Sequence, residues 1–258
     1  MARAKRHYFP GHIWHITHRC HKKEWLLKFV RDRRRWLQWL FNAKKRYRLV
    51  VLNYMLTSNH IHLLVVDDGD REVIPPSIQL VAGRVGQEYN LRKNRTGAFW
   101  EDRYHATAIE SGEHLLRCIV YIDLNMVRAG VVQHPSEWDY SGYSEIQKPR
   151  YKCSLIDHER LRTLAGFDSH DKFRTAHRRW VHDALIDGSH KRESLWTESI
   201  AVGSEQFVEK TKEVLGKQAM GRKLVEKEKS FHLREHAVSY KANFGIKNDD
   251  IGGEKSYF

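Results

Sequence analysis

The chain has 258 residues and a formal net charge of +13, with 41% hydrophobic and 11% aromatic residues, which is enough for one buried core and leaves room for a second small domain. No apolar run approaches the roughly 20 residues that a membrane-spanning helix needs, and the N-terminus lacks the apolar segment and cleavage site of a signal peptide. Three scattered cysteines without a CxxC pair favour a reduced, cytoplasmic protein over a disulfide framework.

The positive charge is concentrated in the first fifth of the chain. Residues 1–50 contain 15 Lys and Arg against Glu24 and Asp32; subtracting these from totals of 45 and 32 leaves 30 of each sign in residues 51–258. Aromatic residues are interleaved with this charge, among them Trp25, Trp36 and Trp39. A basic surface with stacking side chains suits single-stranded nucleic acid. The alternative is a solvated basic helix, but the asymmetry favours nucleic-acid binding.

Strand and helix patterns alternate through the first 66 residues. Residues 11–19 alternate in character and predict a first strand, and residues 28–47 have apolar side chains at helical spacing. Arg33, Arg34 and Arg35 lie in that helix and cannot all face one way, so one or two are predicted to contact DNA. Residues 48–56 and 60–66 then predict a β-hairpin around a polar turn.

The next segment predicts a second helix, a strand and a third helix. Pro75-Pro76 can open the second helix because the first-turn amides of a helix need no partners. Residues 99–109 alternate and predict a fourth strand, on which Arg103 and His105 face together, in DNA contact or in packing. The third helix is predicted from about His114 to Arg128, and Gly130 follows it.

This order, β-α-β-β-α-β followed by a helix, predicts an α+β fold of the ferredoxin-like, split-βαβ type. It would have a four-stranded antiparallel sheet, two crossover helices on one face and the first and third strands as central neighbours. We predict that this domain covers residues 1–150. A helical extension that is a candidate for DNA recognition is predicted over residues 151–220, and a charged, mobile tail over residues 221–258.

The second strand of the hairpin carries two histidines separated by one apolar residue. Side chains alternate along a strand, so His60 and His62 point the same way and could form half of a metal site. Histidine pairs in strands are more often packing or surface residues. The cluster His15, His18, Cys20 and His21 fits no standard zinc-finger spacing.

The other half of such a site could come from the third helix. Tyr121 and Asn125 are four residues apart and share a helical face. Two imidazoles and a carboxamide leave positions open for water and phosphate, which suits Mg²⁺ or Mn²⁺. Tyr121 could then act as a nucleophile, given a nearby cation or base. Arg128, one turn further on, could bind a phosphate or cap the helix.

Three segments together resemble the single-tyrosine HUH transposases, specifically the REP-associated tyrosine transposases. They are TSNHIHLLV, FWEDRYHATAI and YIDLNMVRAGVV, and PGHIWHITHR is similar to the first strand of that family; the resemblance covers about residues 8–147. It implies a nuclease domain for single-stranded DNA, with a divalent metal held by His60, His62 and Asn125. It also implies that Tyr121 forms a 5′-phosphotyrosine and frees a 3′-OH. The family's usual motif at this point is Asn-Pro-Val-Arg-Ala-Gly, and this chain has Met126 in place of the proline.

The sequence therefore predicts a metal-dependent enzyme that nicks and rejoins single-stranded DNA. The resemblance implies hairpin-forming repeats as targets and either a monomer or a homodimer. The lack of a long apolar run and the cysteine usage predict no membrane association and a cytoplasmic location, at the nucleoid when DNA is bound. One alternative is a non-catalytic DNA- or RNA-binding protein derived from such an enzyme. A weaker alternative is a metal-dependent phosphoester hydrolase in which Tyr121 only donates a hydrogen bond.

Overall fold

A computed structural model describes residues 10–70, 72–188, 191–219, 221–227 and 230–234. Within them one mixed sheet has strands β1 (Ile13–Arg19), β2 (Val50–Leu56), β3 (His60–Val66), β4 (His105–Ile109), β5 (Ser199–Gly203), β6 (Lys223–Lys227) and β7 (Ser230–Arg234). The helices are α1 (Val30–Tyr47), α2 (Ile74–Lys93), α3 (Glu113–Asp123), α4 (Asn125–Arg128), α5 (Tyr143–Gln147), α6 (His158–Leu164), α7 (His170–Ile186), α8 (Leu195–Glu198) and α9 (Glu205–Leu215). Short 3-10 turns are also present.

The strand order is β2-β3-β1-β4-β5-β7-β6, so the predicted central pair β1 and β3 is confirmed. The two strands run antiparallel, with Arg19 opposite His60 and Thr17 opposite His62. Residues opposite each other share a face of the sheet. The same face therefore carries Thr17, Arg19 and both histidines.

The predicted α+β class is confirmed, but the prediction of four strands is wrong: the described sheet has seven. Strand β5 pairs in parallel with β4, through Ala108 with Ala201 and Ile109 with Val202, and β7 and β6 continue the sheet. The extension predicted to be helical therefore also contributes strands, and the sheet runs across the boundary predicted at residue 150. Residues 235–258 of the predicted tail lie outside the described residues.

The extra strands escaped prediction because they are short and lack clear alternation. Strand β5, sequence SIAVG, is buried at every position, so it has no polar face to reveal a strand period. Glu110, just after β4, fixes this segment: its carboxylate accepts hydrogen bonds from the Ser204 amide and hydroxyl. Ser204 also caps α9 by accepting a hydrogen bond from the Phe207 amide.

Helices cover both faces of the sheet rather than one. Helices α1 and α2 pack against each other through the Arg35–Glu88 and Arg92–Asp32 ion pairs. Helix α2 reaches the sheet face opposite His62, where the Trp100 indole donates to the Ala82 carbonyl and stacks on His18 at 4.1 Å. Helices α3 and α4 lie over the histidine face. No helix among the described residues combines the length and apolarity needed to cross a bilayer.

Two predicted elements differ in extent. The fourth strand, expected over residues 99–109, is regular only from His105; before it, a single bridge joins Trp100 to Cys20. The third helix, expected to run from about His114 to Arg128, is interrupted at Leu124, which separates α3 from α4. The interruption lies between Tyr121 and Asn125, so these two side chains come from different helical segments.

Candidate active site

The two histidines of β3 form one wall of the site. The rings of His60 and His62 lie 5.1 Å apart between centroids and are nearly perpendicular. His62 is buried, and His60 is half-buried at the start of the strand. Burial is the main cause that lowers the pKa of His60 to about 3, and it also lowers the pKa of His62. Both imidazoles are therefore neutral at physiological pH, the form that binds a metal ion.

Neighbouring residues of the hairpin turn fix the orientation of His60. Its Nδ1 lies 2.7 Å from Asn59 Oδ1, while the Asn59 amide nitrogen donates to the Lys23 carbonyl. Since Asn59 Oδ1 can only accept, Nδ1 of neutral His60 carries the proton. The lone pair is consequently on His60 Nε2.

Helices α3 and α4 form the opposite wall and bring in both residues predicted there. The Tyr121 ring lies 6.0 Å from the His62 ring between centroids, and Asn125 Nδ2 lies 3.0 Å from His62 Nε2. The four residues His60, His62, Tyr121 and Asn125 thus meet at one place. They come from the two elements predicted to carry them, despite the interruption at Leu124.

Tyr121 lies between a cation and an aromatic side chain. The Arg128 guanidinium lies 4.2 Å from the centroid of the Tyr121 ring, and Trp196 of α8 lies 6.1 Å away between centroids. Burial raises the pKa of the Tyr121 phenol, and the positive charge of Arg128 opposes this shift. Arg128 also donates to the Tyr121 carbonyl at 2.8 Å. Arg128 therefore both supports the backbone at the helix interruption and supplies positive charge beside the phenol.

An open cleft of about 1140 Å³ leads to this cluster. Besides Tyr121, Asn125, Arg128 and the two histidines, its lining includes Thr17, Arg19, Glu101, Asp102, Arg103, His105, Lys191, Arg192, Thr197 and Glu198. Two of its cations face acids: Arg19 lies 4.0 Å from Glu101, and Arg192 lies 3.8 Å from Glu198. Arginine at a phosphodiester site provides several donors in fixed geometry.

The six residues predicted to bind nucleic acid divide into two groups. Arg103, His105 and Arg128 line the cleft, although the His105 ring also bonds to the Ser199 carbonyl at 2.9 Å. The three arginines of α1 are outside the cleft lining. Arg33, Arg34 and Arg35 face different directions, as predicted, and their role in nucleic-acid binding stays a prediction.

Packing explains the different surroundings of these three arginines. Arg33 is buried, donates to the Lys28 carbonyl and lies over the Trp138 and Tyr140 rings at 4.6 and 4.9 Å. Arg35 pairs with Glu88 of α2, and Arg34 is exposed. Two of the three thus have structural partners within the protein.

Sequence reasoning missed several residues of the site. Arg19 was available in principle, because strand alternation and the predicted β1–β3 pairing place it beside His60. His15 was considered only for zinc, whereas its Nε2 lies 2.9 Å from His62 Nδ1. No sequence pattern could have placed Arg192 and Trp196 at the site. They belong to a segment that reaches α3 only because β5 pairs with β4.

The donor set fits a divalent ion. His60 and His62 supply imidazole nitrogens, and the amide of Asn125 lies against His62 Nε2 at 3.0 Å, where exchange of its oxygen and nitrogen by a side-chain flip would present an oxygen ligand. Among the residues that the structure describes, no cluster of three or more His, Cys, Asp or Glu is placed to hold a metal. A site here would therefore depend on the carboxamide and on ligands from substrate or water.

Comparisons with known proteins give limited similarity. No family model matches the sequence, and no curated protein matches it. One solved structure with a similar fold is that of a REP-associated tyrosine transposase bound to a REP hairpin, with a TM-score of 0.48 and 16% identity. The match covers 60% of this chain and 90% of that one. At this level of similarity nothing about the activity of this chain follows, so its function is inferred from the site.

Proposed function

We propose that this protein is a metal-dependent enzyme that cleaves and rejoins single-stranded DNA through a covalent bond to Tyr121. The observation that carries the proposal is the meeting of His60, His62, Tyr121 and Asn125 in one cleft. These residues come from separate parts of the sequence, and packing of a single tyrosine or histidine pair alone would not require all four to converge. The cleft also contains cations suited to a phosphate backbone.

In the proposed reaction, the Tyr121 oxygen attacks a DNA phosphorus atom while the bond to the 3′-oxygen breaks. The phenol loses its proton, the leaving oxygen gains one, and the product is a 5′-phosphotyrosine with a free 3′-OH. Arg128 favours the deprotonated phenol by its charge. When bound by His60, His62 and Asn125, Mg²⁺ or Mn²⁺ supplies Lewis-acid polarisation of the phosphate. Attack by the 3′-OH on the phosphotyrosine reverses the step and rejoins the strand.

The DNA substrate is proposed to be single-stranded and to contain a hairpin-forming repeat. This choice rests on the resemblance of the three sequence segments described above. The open cleft and its exposed Arg103 are compatible with an extended strand. Cytoplasmic location and the monomeric or dimeric state remain predictions.

The test is incubation with hairpin-containing single-stranded DNA and Mg²⁺ or Mn²⁺, followed by denaturing electrophoresis. We expect a covalent protein–DNA adduct that is lost in Tyr121→Phe and retained in Tyr89→Phe, a tyrosine of α2 that also lies beneath an arginine. Cleavage without an adduct that persists in Tyr121→Phe would instead identify a hydrolase. Salt-sensitive binding without cleavage in either metal would identify a non-catalytic binder.

A further inference from the structure

A chain of buried hydrogen bonds runs from the C-terminal segment to the catalytic strand. His15 Nδ1 lies 2.8 Å from the Trp196 carbonyl oxygen, and His15 Nε2 lies 2.9 Å from His62 Nδ1. The two imidazole rings are nearly parallel, with 5.1 Å between centroids. His15 is completely buried and His62 is 2% exposed, so water does not replace these contacts.

The direction of each hydrogen bond follows from the partners. The Trp196 carbonyl can only accept, so His15 Nδ1 donates to it. His15 is completely buried, and neither of these two partners, the Trp196 carbonyl and His62, is an acid, so the ring is neutral and has no proton left on Nε2. His15 Nε2 must then accept from His62 Nδ1. A neutral His62 that donates from Nδ1 has its lone pair on Nε2, the atom next to Asn125.

We propose that His15 is a positioning residue that holds His62 in the Nδ1–H form, with the Nε2 lone pair directed to the metal-binding side of the site. The inference rests on the proposed function, because it assigns His15 a role toward the metal ligand His62. It extends that function by making proton placement on His62 depend on a backbone carbonyl from outside the predicted catalytic domain. His60 reaches the same form by another route, through Asn59.

The physical reason is that a neutral imidazole has two forms, and only one leaves Nε2 able to bind a cation. The hydrogen bond at the second ring nitrogen decides which form is present. Without His15, a buried His62 Nδ1–H would lose its acceptor, and the ring could place the proton on Nε2 and direct it to Asn125 Oδ1. The metal ion would then have to displace that proton in order to bind.

The test compares wild-type protein with His15→Gln and His15→Phe, all free of metal. Glutamine retains an acceptor oxygen and a donor amide, whereas phenylalanine fills the space with neither. Two-bond proton–nitrogen NMR correlations of the imidazole rings report which nitrogen carries the proton, and His62→Gln identifies the His62 signals. We expect the Nδ1–H form in wild type and His15→Gln, and a substantial Nε2–H population in His15→Phe.

A second readout is Mn²⁺ affinity, measured by calorimetry on the same proteins without DNA. We expect about 10- to 100-fold weaker binding in His15→Phe and recovery of most of the affinity in His15→Gln. An Nε2–H form of His62 in wild type would overturn the proposal, even if the variants fail to fold. Unchanged proton placement and Mn²⁺ affinity in folded His15→Phe would also overturn it. Because neither measurement uses DNA cleavage, lack of nicking would count against the proposed function alone.

Discussion

The Arg128 guanidinium lies over the Tyr121 ring at 4.2 Å and donates a hydrogen bond to the carbonyl of the same residue. One side chain therefore holds both the backbone and the electrostatic environment of the proposed nucleophile. A phenol with a raised pKa is a weak nucleophile near neutral pH, and a cation at this distance makes its deprotonated form more accessible.

Arg128→Met should slow adduct formation at pH 7.5 by about 10- to 100-fold, because a cation at this distance changes a pKa by about one to two units. The alkaline limb of the pH–rate profile should move to higher pH, since loss of Arg128 removes the larger of the two positive charges' effects that oppose burial, leaving only that of Arg192. Single-turnover rates between pH 7 and 10 provide the measurement. Arg46→Met is a matched control, because Arg46 lies over the Tyr47 ring at 5.3 Å at an exposed position near the end of α1. If the alkaline limb of the pH–rate profile does not shift in folded Arg128→Met, Arg128 does not promote deprotonation of Tyr121.

Removal of metal should abolish cleavage, and addition of Mg²⁺ or Mn²⁺ should restore it. His60→Gln and Asn125→Ala should each require at least about 10-fold more Mn²⁺ for half-maximal activity, because each removes a ligand from a small donor set. Titration of Mn²⁺ into EDTA-treated protein measures this. His182→Gln, at an exposed position on α7, should behave as wild type. Full activity in excess EDTA would rule out the metal-dependent mechanism.

Arg103→Ala should weaken binding to single-stranded DNA and reduce the slope of log affinity against log salt by about one, as expected for loss of one phosphate contact. Arg103 is exposed in the cleft lining. Arg33→Ala should mainly lower the melting temperature, because Arg33 is buried against Trp138 and Tyr140. Fluorescence anisotropy at several salt concentrations and thermal unfolding separate the two effects. If log affinity depends on log salt with the same slope in Arg103→Ala as in wild type, Arg103 makes no phosphate contact.

Asp123 and His177 form a fully buried pair that joins α3 to α7, with 2.7 Å between Asp123 Oδ2 and His177 Nε2. Asn53 donates to the other carboxylate oxygen. Asp123→Ala should reduce the free energy of unfolding by about 3–5 kcal/mol, since it leaves buried donors without an acceptor. Asp68→Ala breaks a half-exposed pair with Arg160 and should cost about 0–1 kcal/mol. Urea denaturation measures both, and equal losses would contradict the difference in burial.

Acid should destabilise the protein through His158 and His170, whose rings meet at 5.3 Å between α6 and α7. Burial lowers the pKa of both, while Glu145 opposes the shift at His158 and Asp171 opposes it at His170. Because the unfolded chain binds protons more readily than the folded one, stability should fall as pH decreases below about 6.5. His158→Gln should reduce the slope of melting temperature against pH between 7 and 5. His182→Gln should leave it unchanged; equal slopes in all three proteins would refute the assignment.

The N-terminal half of the fold and the core of the candidate site were predictable because their signals are local. Alternation along β3 places His60 and His62 on one face, and four-residue spacing places Tyr121 near Asn125 even across the interruption at Leu124. Strong periodicity also located α1 and α2. These features depend on neighbouring residues, so a single sequence contains them.

The remaining features depend on contacts between distant segments. Trp196 lies near Tyr121 only because β5 pairs with β4. The short, fully buried β5 lacks the alternation of polar and apolar residues that would predict a strand. The basic α1 was expected to bind DNA, but Arg33 and Arg35 have partners inside the protein that are distant in sequence. Trp138 lies 105 positions after Arg33, and Glu88 lies 53 positions after Arg35. Local charge density does not reveal such partners.

The parallel pairing of β4 with β5 has a consequence for how proteins of this architecture can diversify. A fragment that ended near residue 150 would leave the β4 edge without its neighbour, and an uncovered edge strand invites association with other chains. It would also lose the Trp196 carbonyl that contacts His15. Recombination that exchanged the C-terminal segment as an independent unit would therefore disturb the core of the fold. New specificity should arise more readily by point substitution along the cleft.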